Sequence, residues 1–251
     1  MCVINGVTEA ATIPLAAMTA ALGVYQRLGL PLPWKPATER TPLIVYGGAT
    51  AVGAFAIKLA VLSNVHPIVA VAGNGASFVE SLLDKSKGDT VVDYRKGDEH
   101  VVEALRKEAG SDVRLAFDAV SEKGSIANLD KVIVKGGKIA TVLTPGMVPG
   151  GREDSGHAEI LFTLVATVHS ELSEEAKAKG EKLGDKEFGA VMFPLLGRGL
   201  AEGWFSGHPY EVVQGGLDGL QEALGLLQAG KLSATKAVLR IGETKGVERK
   251  D

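Results

Sequence analysis

Leu43-Ile-Val-Tyr-Gly-Gly-Ala-Thr-Ala-Val-Gly-Ala-Phe-Ala-Ile-Lys-Leu-Ala60 runs from a short β-branched segment through a glycine-rich turn into an apolar helix. Leu43 to Tyr46 is too short for a helix and suits a buried strand, while Ala51 to Leu62 has the composition of a core-facing helix. A strand, a tight turn and a helix in that order leave free N–H groups and the positive end of a helix dipole at the turn, where a phosphate can sit. Gly48, Thr50 and Gly53 take the three glycine positions of G-x-G-x-x-G, with threonine in the middle. The Thr50 Cβ hinders the closest backbone approach, but its hydroxyl can donate to a phosphate oxygen. Alone, the pattern is equally compatible with a plain strand-to-helix turn; its surroundings favour phosphate binding.

Outward from that segment, strands and helices alternate. Ala10 to Leu28 reads as a helix closed by Gly29 and the prolines at 31 and 33. After the first strand and helix come a strand at Pro67–Ala72, a helix at Ala76–Lys85, and a strand at Thr90–Val92. A helix at Asp98–Ala109 follows, with Asp98 as its N-cap, then a strand at Arg114–Phe117, a helix at Gly124–Val134 and a strand at Gly137–Leu143. This rhythm predicts an α/β fold, a Rossmann-type doubly wound parallel sheet. Past Pro145 it breaks into a polar loop at Gly150–Ser155. A sixth apolar strand is then expected at Ile160–Val168, a helix at Glu171–Leu200 with a loose stretch near Lys177–Lys186, and a strand at Tyr210–Val213. A helix at Leu217–Gln228, a strand at Lys236–Ile241 and a charged tail at Lys245–Asp251 complete the chain.

Composition narrows the function. The 251 residues carry 27 Lys+Arg against 30 Asp+Glu, a formal net charge of −3, with the two signs interleaved, so neither nucleic acid nor an anionic membrane is an expected partner. Apolar runs such as Ala10–Leu22 and Leu161–Val168 are too short or too polar to span a bilayer, which takes ~20 apolar residues. No signal-type leader opens the chain. The single cysteine, Cys2, excludes an internal disulfide and suits a reducing compartment, with the cytosol expected. His66, His100, His157, His169 and His208 lack the paired spacing of a metal site, and no nucleophile elbow or Walker loop is present.

The second strand points to the cofactor. An acidic residue about 20 positions beyond the glycines would accept from an adenosine ribose and repel a 2′-phosphate. The strand instead ends Val71-Ala72-Gly73-Asn74, with Asn74 and Ser77 as neutral donors and Tyr94-Arg95 following the third strand. That set predicts NADPH over NADH, although an ordinary solvated strand end accounts for Tyr94 and Arg95 as well.

The runs Ala10-Ala-Thr-Ile-Pro-Leu-Ala-Ala-Met-Thr-Ala-Ala-Leu22, Gly47-Gly-Ala-Thr-Ala-Val-Gly53, Val91-Val-Asp-Tyr-Arg95 and Ala116-Phe-Asp-Ala-Val120 resemble the zinc-independent, quinone-oxidoreductase-like branch of the medium-chain dehydrogenases/reductases. Val212-Val-Gln-Gly-Gly-Leu217 and Leu227-Gln-Ala-Gly-Lys-Leu-Ser-Ala-Thr-Lys-Ala-Val238 are similar to the fungal trans-acting enoyl reductases that serve polyketide synthases. The resemblance implies that Gly48, Ala49, Thr50, Ala51, Val52 and Gly53 form the pyrophosphate turn and that Asn74, Ser77 and Tyr94 face the 2′-phosphate. It places Thr19 near the nicotinamide ribose, with Val120 and Leu143 near the nicotinamide; as plain residues, these three read as core or, for Thr19, as a helix residue bonded to its own turn. Lys236 falls in a Ser-x-x-Lys slot of the family, where a solvated charge is the ordinary alternative.

Family members carry roughly a further hundred residues before the Ala10 helix, a GroES-like domain roofing the substrate cleft. On that basis residues 1–30 are expected to be a linker helix, 31–209 the NADPH-binding domain, and 210–251 a segment returning to the missing catalytic domain, its apolar faces exposed or differently packed. The implied activity is NADPH-dependent reduction of an activated C=C in a small-molecule or carrier-bound acyl substrate, with no catalytic residue assigned. Alternatives are a catalytically silent NADPH-binding module and, more weakly, a nucleotide-free structural fold. Some relatives pair as homodimers through the last strand of the cofactor domain, here Leu161–Val168.

Overall fold

The computed structural model describes residues 7–143, 157–178 and 184–246. Cys2, the polar loop at Gly150–Ser155 and tail residues 247–251 lie outside the described residues. The strands are β1 (Leu43–Tyr46), β2 (Ile68–Ala72), β3 (Thr90–Asp93), β4 (Leu115–Asp118), β5 (Lys138–Thr141), β6 (Glu159–Phe162), β7 (Tyr210–Val213) and β8 (Lys236–Leu239). The α-helices are α1 (Val7–Ala10), α2 (Pro14–Ala21), α3 (Ala51–Leu62), α4 (Ala76–Glu80), α5 (Asp98–Ala109), α6 (Ser125–Asp130), α7 (Glu174–Ala178), α8 (Asp185–Glu202) and α9 (Leu220–Gln228).

The first six strands form one parallel sheet in the order β3-β2-β1-β4-β5-β6, the predicted doubly wound arrangement. Helices cover both faces, so β1 and β2 are buried at every position, which explains their unbroken apolar sequence. One layer packs α2 and α3 over Leu43, Val45, Ile68 and Phe117. The other packs α5 and α6 over Ile44, Val69, Ala116 and Ile139. Fully burying side chains such as Phe55 and Phe117 contributes roughly 1.5–3 kcal/mol each.

Several boundaries differ from expectation. The first helix divides at Ala11–Ile13 because Pro14 lacks an N–H and opens α2 as its first residue, and beyond Ala21 the chain continues as π-helix to Arg27. The helix after β2 stops at Glu80, where the Ser81 hydroxyl donates to the Phe78 carbonyl and the Asp84 carboxylate starts a new turn by accepting from Ser86 N–H. Asp98 is not the N-cap of α5. Gly97 holds that position, and the Asp98 carboxylate accepts from Asn128 Nδ2 at 2.8 Å. The sixth strand ends at Phe162, and Val165–His169 is a 3₁₀ turn in which the Thr167 hydroxyl donates to the Leu164 carbonyl. Only Leu161 and Phe162 of the expected pairing edge are therefore strand.

Arg27 ties this region together. Its guanidinium pairs with both carboxylate oxygens of Asp185 and donates from Nε to the Phe162 carbonyl at 3.2 Å, while the Thr167 hydroxyl shares its one proton between the Leu164 carbonyl and Asp185. Burial raises the Asp185 carboxyl, but the Arg27 and Thr167 hydrogen bonds outweigh it and hold the group below the usual carboxylate range.

β7 and β8 form a separate two-stranded parallel sheet joined through α9. It returns to the start of the described chain: His208 N–H donates to the Thr12 hydroxyl at 3.0 Å and Gly207 N–H to the Glu9 carboxylate at 2.8 Å. Leu217, Leu220, Leu224 and Leu227 recur at helical spacing and stay 43–55% exposed.

Candidate functional site

At the carboxyl ends of β1, β2 and β4, where the chain order reverses across the sheet, lies a cleft of about 480 Å³. Tyr46, Gly47, Ala49, Thr50 and Ala51 form one wall, and Val71 to Gly75 with Tyr94 form the floor. Val120, Glu122 and Lys123 stand opposite, and His208, Gly230 and Leu232 to Lys236 close the remaining side.

The turn after β1 explains how an anion would be held. Gly47 and Gly48 N–H donate to the Val71 carbonyl, Thr50 N–H to the Gly47 carbonyl, and Gly53 N–H to the Thr50 hydroxyl oxygen at 3.0 Å. Ala49, Ala51 and Val52 N–H make no hydrogen bond among the described residues. The donors available to a phosphate are therefore these three rather than the whole run from 48 to 53. Thr50 is the N-cap of α3, with extended backbone, and its accepting role leaves the hydroxyl proton free to point outward. Thr50→Ala is expected to lose about 1 kcal/mol of stability through the cap. A further loss of about 1 kcal/mol in dinucleotide affinity is expected if that proton donates to the ligand. Urea denaturation and a binding titration of the same variant separate the two effects.

Of the residues named from sequence, Ala49, Thr50, Ala51, Asn74, Tyr94 and Val120 line the cleft. Gly48 and Gly53 lie beneath it, both buried, and half-buried Val52 is in the first turn of α3. Ser77, on the exposed side of α4, does not line the cleft. Neither do Leu143, whose carbonyl accepts from Thr141, and Thr19, 7% exposed, whose hydroxyl donates to the Leu15 carbonyl at 2.7 Å. Tyr94 lies over the strand end, its ring so near Gly73 that a Cβ there would stand 2.6 Å from it.

At the outer corner, the Arg95 guanidinium reaches back to the Asn74 side-chain oxygen and also grips the Asp93 carboxylate, with Nη2 donating at 2.7 Å. Hydrogen bonds from the Arg95 side chain and backbone hold the Asp93 carboxyl down at about 2. Thus Arg95 brings a positive charge to the end of β2, and Asp93 partly offsets it.

Beneath Val120 lies a buried carboxylate. Asp118 is fully buried at the end of β4 and accepts from Val120 N–H at 3.0 Å, Ser121 N–H at 2.8 Å and the Ser125 hydroxyl at 2.6 Å. Burial pushes its carboxyl up to about 6 despite these bonds. The Ser121 hydroxyl donates to the Asp118 carbonyl and accepts from Val142 N–H, tying the loop after β4 to the end of β5.

Sequence reasoning missed the wall supplied by residues 208 and 230–236, apart from noting Lys236, because the contact joins positions far apart in the chain. His208 is 3% exposed and packs on Phe78 and Phe55, and burial together with the nearby Lys58 and Lys236 charges pushes it down to about 4. Lys58, pushed down to about 8 by burial against the opposing influence of Glu9, donates to the Ser206 and Gly207 carbonyls. Among the described residues, no cluster of three His, Cys, Asp or Glu side chains is disposed to hold a metal, and no helix is long and apolar enough to cross a membrane.

No family model matches the chain. Trans-enoyl reductase fsr4 of Gibberella fujikuroi is 39% identical over 215 residues, covering 82% of this chain and 58% of that protein. The enoyl reductase component lovC of the Aspergillus terreus lovastatin nonaketide synthase is 28% identical over 243 residues, covering 93% of this chain and 64% of that protein. The chain thus spans about three fifths of the length of these relatives. Among solved structures, the CurK enoyl reductase matches with a TM-score of 0.62 at 16% identity, over 92% of this chain and 62% of that one. An alcohol dehydrogenase superfamily protein from Novosphingobium aromaticivorans matches with a TM-score of 0.64 at 16% identity, over 89% and 60%. In sequence the chain is similar to fungal trans-enoyl reductases, and in fold, including the order of its six-stranded sheet, it is similar to the CurK enoyl reductase and to an alcohol dehydrogenase superfamily protein.

Proposed function

We propose that the cleft binds a nicotinamide dinucleotide, NADPH in preference to NADH, and that the protein is an oxidoreductase reducing the activated C=C of an enoyl substrate. The observation carrying this reading is the set of unbonded N–H groups on Ala49, Ala51 and Val52 at the turn after β1, of which Ala49 and Ala51 line a cleft at the reversal point of a doubly wound sheet. A diphosphate fits those donors, and the bound dinucleotide would supply hydride to the substrate carbon. Val120 and the loop fixed by Asp118, with Glu122 and Lys123, form the side opposite the glycine-rich turn. The similarity to fsr4 and lovC supports a carrier-bound acyl substrate delivered by a polyketide synthase.

Arg95 and Asn74 support the choice of NADPH, since a guanidinium at the end of β2 favours a ribose 2′-phosphate. Arg95→Gln is expected to weaken NADPH about tenfold or more, the worth of one charge-assisted hydrogen bond, and to leave NADH nearly unchanged. Fluorescence titration with both dinucleotides tests it, and tighter binding of NADH by the unaltered protein rejects the assignment. Because the chain spans about three fifths of its relatives, turnover is a separate measurement. NADPH bound but not oxidised in the presence of α,β-unsaturated thioesters or quinones identifies a silent binding module instead.

A further inference from the structure

At the end of the sheet away from the cleft, the residues that lead into β1, β2 and β3 border a second cavity of about 640 Å³. His66, just before β2, and Lys87, just before β3, both line it. His66 is 8% exposed, and its Nδ1 lies 2.8 and 3.0 Å from the two carboxylate oxygens of Asp89. Asp89 is itself buried and accepts from Ile68 N–H at 2.7 Å and from Asp84 N–H at 3.0 Å. A carboxylate that already takes two amide protons accepts from the ring as well, so Nδ1 carries a proton and the imidazole is held in one orientation. Nε2 is left on the opposite edge of the ring, buried and without a partner. With the proton on Nδ1, Nε2 of the neutral ring presents a lone pair, and a buried lone pair calls for a donor.

The neighbouring cation is short of partners too. Lys87 Nζ donates to Asn64 Oδ1 at 2.9 Å, and no carboxylate pairs with it among the described residues. Asn64 is braced in turn: its Nδ2 donates to the Ala37 carbonyl at 2.7 Å, so the ammonium is anchored at the rim. The other charges there are largely spent. Arg40 is committed to Asp112 and the Ala109 carbonyl, and Glu108 lies 3.0 Å from Lys107 Nζ. Glu39, also on the rim, opposes any large negative charge. The cavity therefore suits a ligand with one anionic oxygen for Lys87 and one O–H for His66 Nε2. A plain carboxylate or a sulfate supplies only the first, whereas a hydrogen phosphate supplies both.

We infer that this cavity is a second ligand site, for a hydrogen phosphate group, free or as a phosphomonoester, whose anionic oxygen meets Lys87 and whose hydroxyl donates to His66 Nε2. Asp89 is a positioning residue that acts through the ring. None of the residues bordering this cavity borders the dinucleotide cleft, so the inference stands apart from the proposed function.

The test is calorimetric titration with inorganic phosphate, glycerol 3-phosphate and sulfate, repeated on Lys87→Met and His66→Asn. The asparagine amide nitrogen falls where Nδ1 lies, so that variant keeps a donor for Asp89 and removes only Nε2. Saturable phosphate binding, weakened about tenfold or more by either substitution and stronger than sulfate binding by a similar factor, would support the inference. The 15N resonance of His66 Nε2 should also move as phosphate is added. Whichever of inorganic phosphate and its ester binds more tightly identifies the source, and either order supports the site. Sulfate binding as tightly as phosphate overturns it, because a fully deprotonated anion offers Nε2 nothing. Phosphate affinity unchanged in both variants overturns it too, by moving the anion elsewhere, the glycine-rich turn included, as does the absence of saturable binding. NADPH titration of the same variants should be unaltered, and failure of the unaltered protein to bind NADPH would reject the proposed function while leaving this comparison intact. Should circular dichroism show that His66→Asn does not fold, Lys87→Met and the His66 resonance carry the decision.

Discussion

Gly53→Ala is expected to abolish measurable dinucleotide binding and to lower stability by roughly 3 kcal/mol, the upper end of the cost of forcing a methyl into a packed interior. An added Cβ would lie 2.2 Å from the Gly47 carbonyl oxygen, 2.9 Å from the Gly47 carbonyl carbon and 3.1 Å from Gly48 Cα. All three atoms are backbone, so no side chain can rotate away. Alanine would gain about 1 kcal/mol of helix propensity inside α3, but the clash is the larger effect. The first turn of α3 must back away from β1, and the unbonded amides of Ala49, Ala51 and Val52 move with it. Urea denaturation measures the stability loss, and fluorescence titration with NADPH measures the binding loss. A stable variant with unaltered affinity would show that helix and strand need not approach so closely.

Asp118→Ala should cost several kcal/mol, because it strands Val120 N–H, Ser121 N–H and the Ser125 hydroxyl in a buried pocket at about 1–3 kcal/mol for each unsatisfied donor. The milder Asp118→Asn isolates the charge. In the folded protein the Asp118 carboxyl is raised to about 6, above its unfolded value near 4, so the folded state holds this proton more tightly than the unfolded chain does. Stability from this group is therefore fully present below about pH 4 and is lost as pH rises through about 6, a change of roughly 3 kcal/mol. Other carboxyls, such as Asp93 and Asp185, are lowered and run the opposite way, so the informative quantity is the difference between the unaltered protein and Asp118→Asn. That difference should shift in favour of the variant between pH 4.5 and 7. A difference flat with pH would mean that the three hydrogen bonds fully offset burial.

The sheet was legible because its signals are local. The buried runs at β1 and β2, the glycine turn and the 3.6-residue pattern of α5 each announce an element within a dozen residues. Boundaries failed where a side chain turned to a distant partner, as when Asp98 served Asn128 instead of capping its own helix, or where Thr163 and Thr167 followed a strand that periodicity alone would have extended. The glycine-rich turn was readable from Gly48 to Gly53, but which of its amides remain free was not, since that depends on the Val71 carbonyl across the sheet. The wall carrying His208 and Ser233 to Lys236 left only the Ser-x-x-Lys trace, because its place is set by contacts to Glu9 and Thr12 some two hundred positions away.

The crevice draws its sides from around residues 46–51, 71–75, 94, 120–123, 208 and 230–236, and so exists only when all of these stretches are in place at once. Any molecule that fills it rewards complete assembly of the sheet and penalises every partly opened form. At a hundredfold excess over its dissociation constant, such a molecule would deepen the native well by about 2.7 kcal/mol. The supply of reduced dinucleotide would then govern how long the polypeptide survives proteolysis as well as how fast it works.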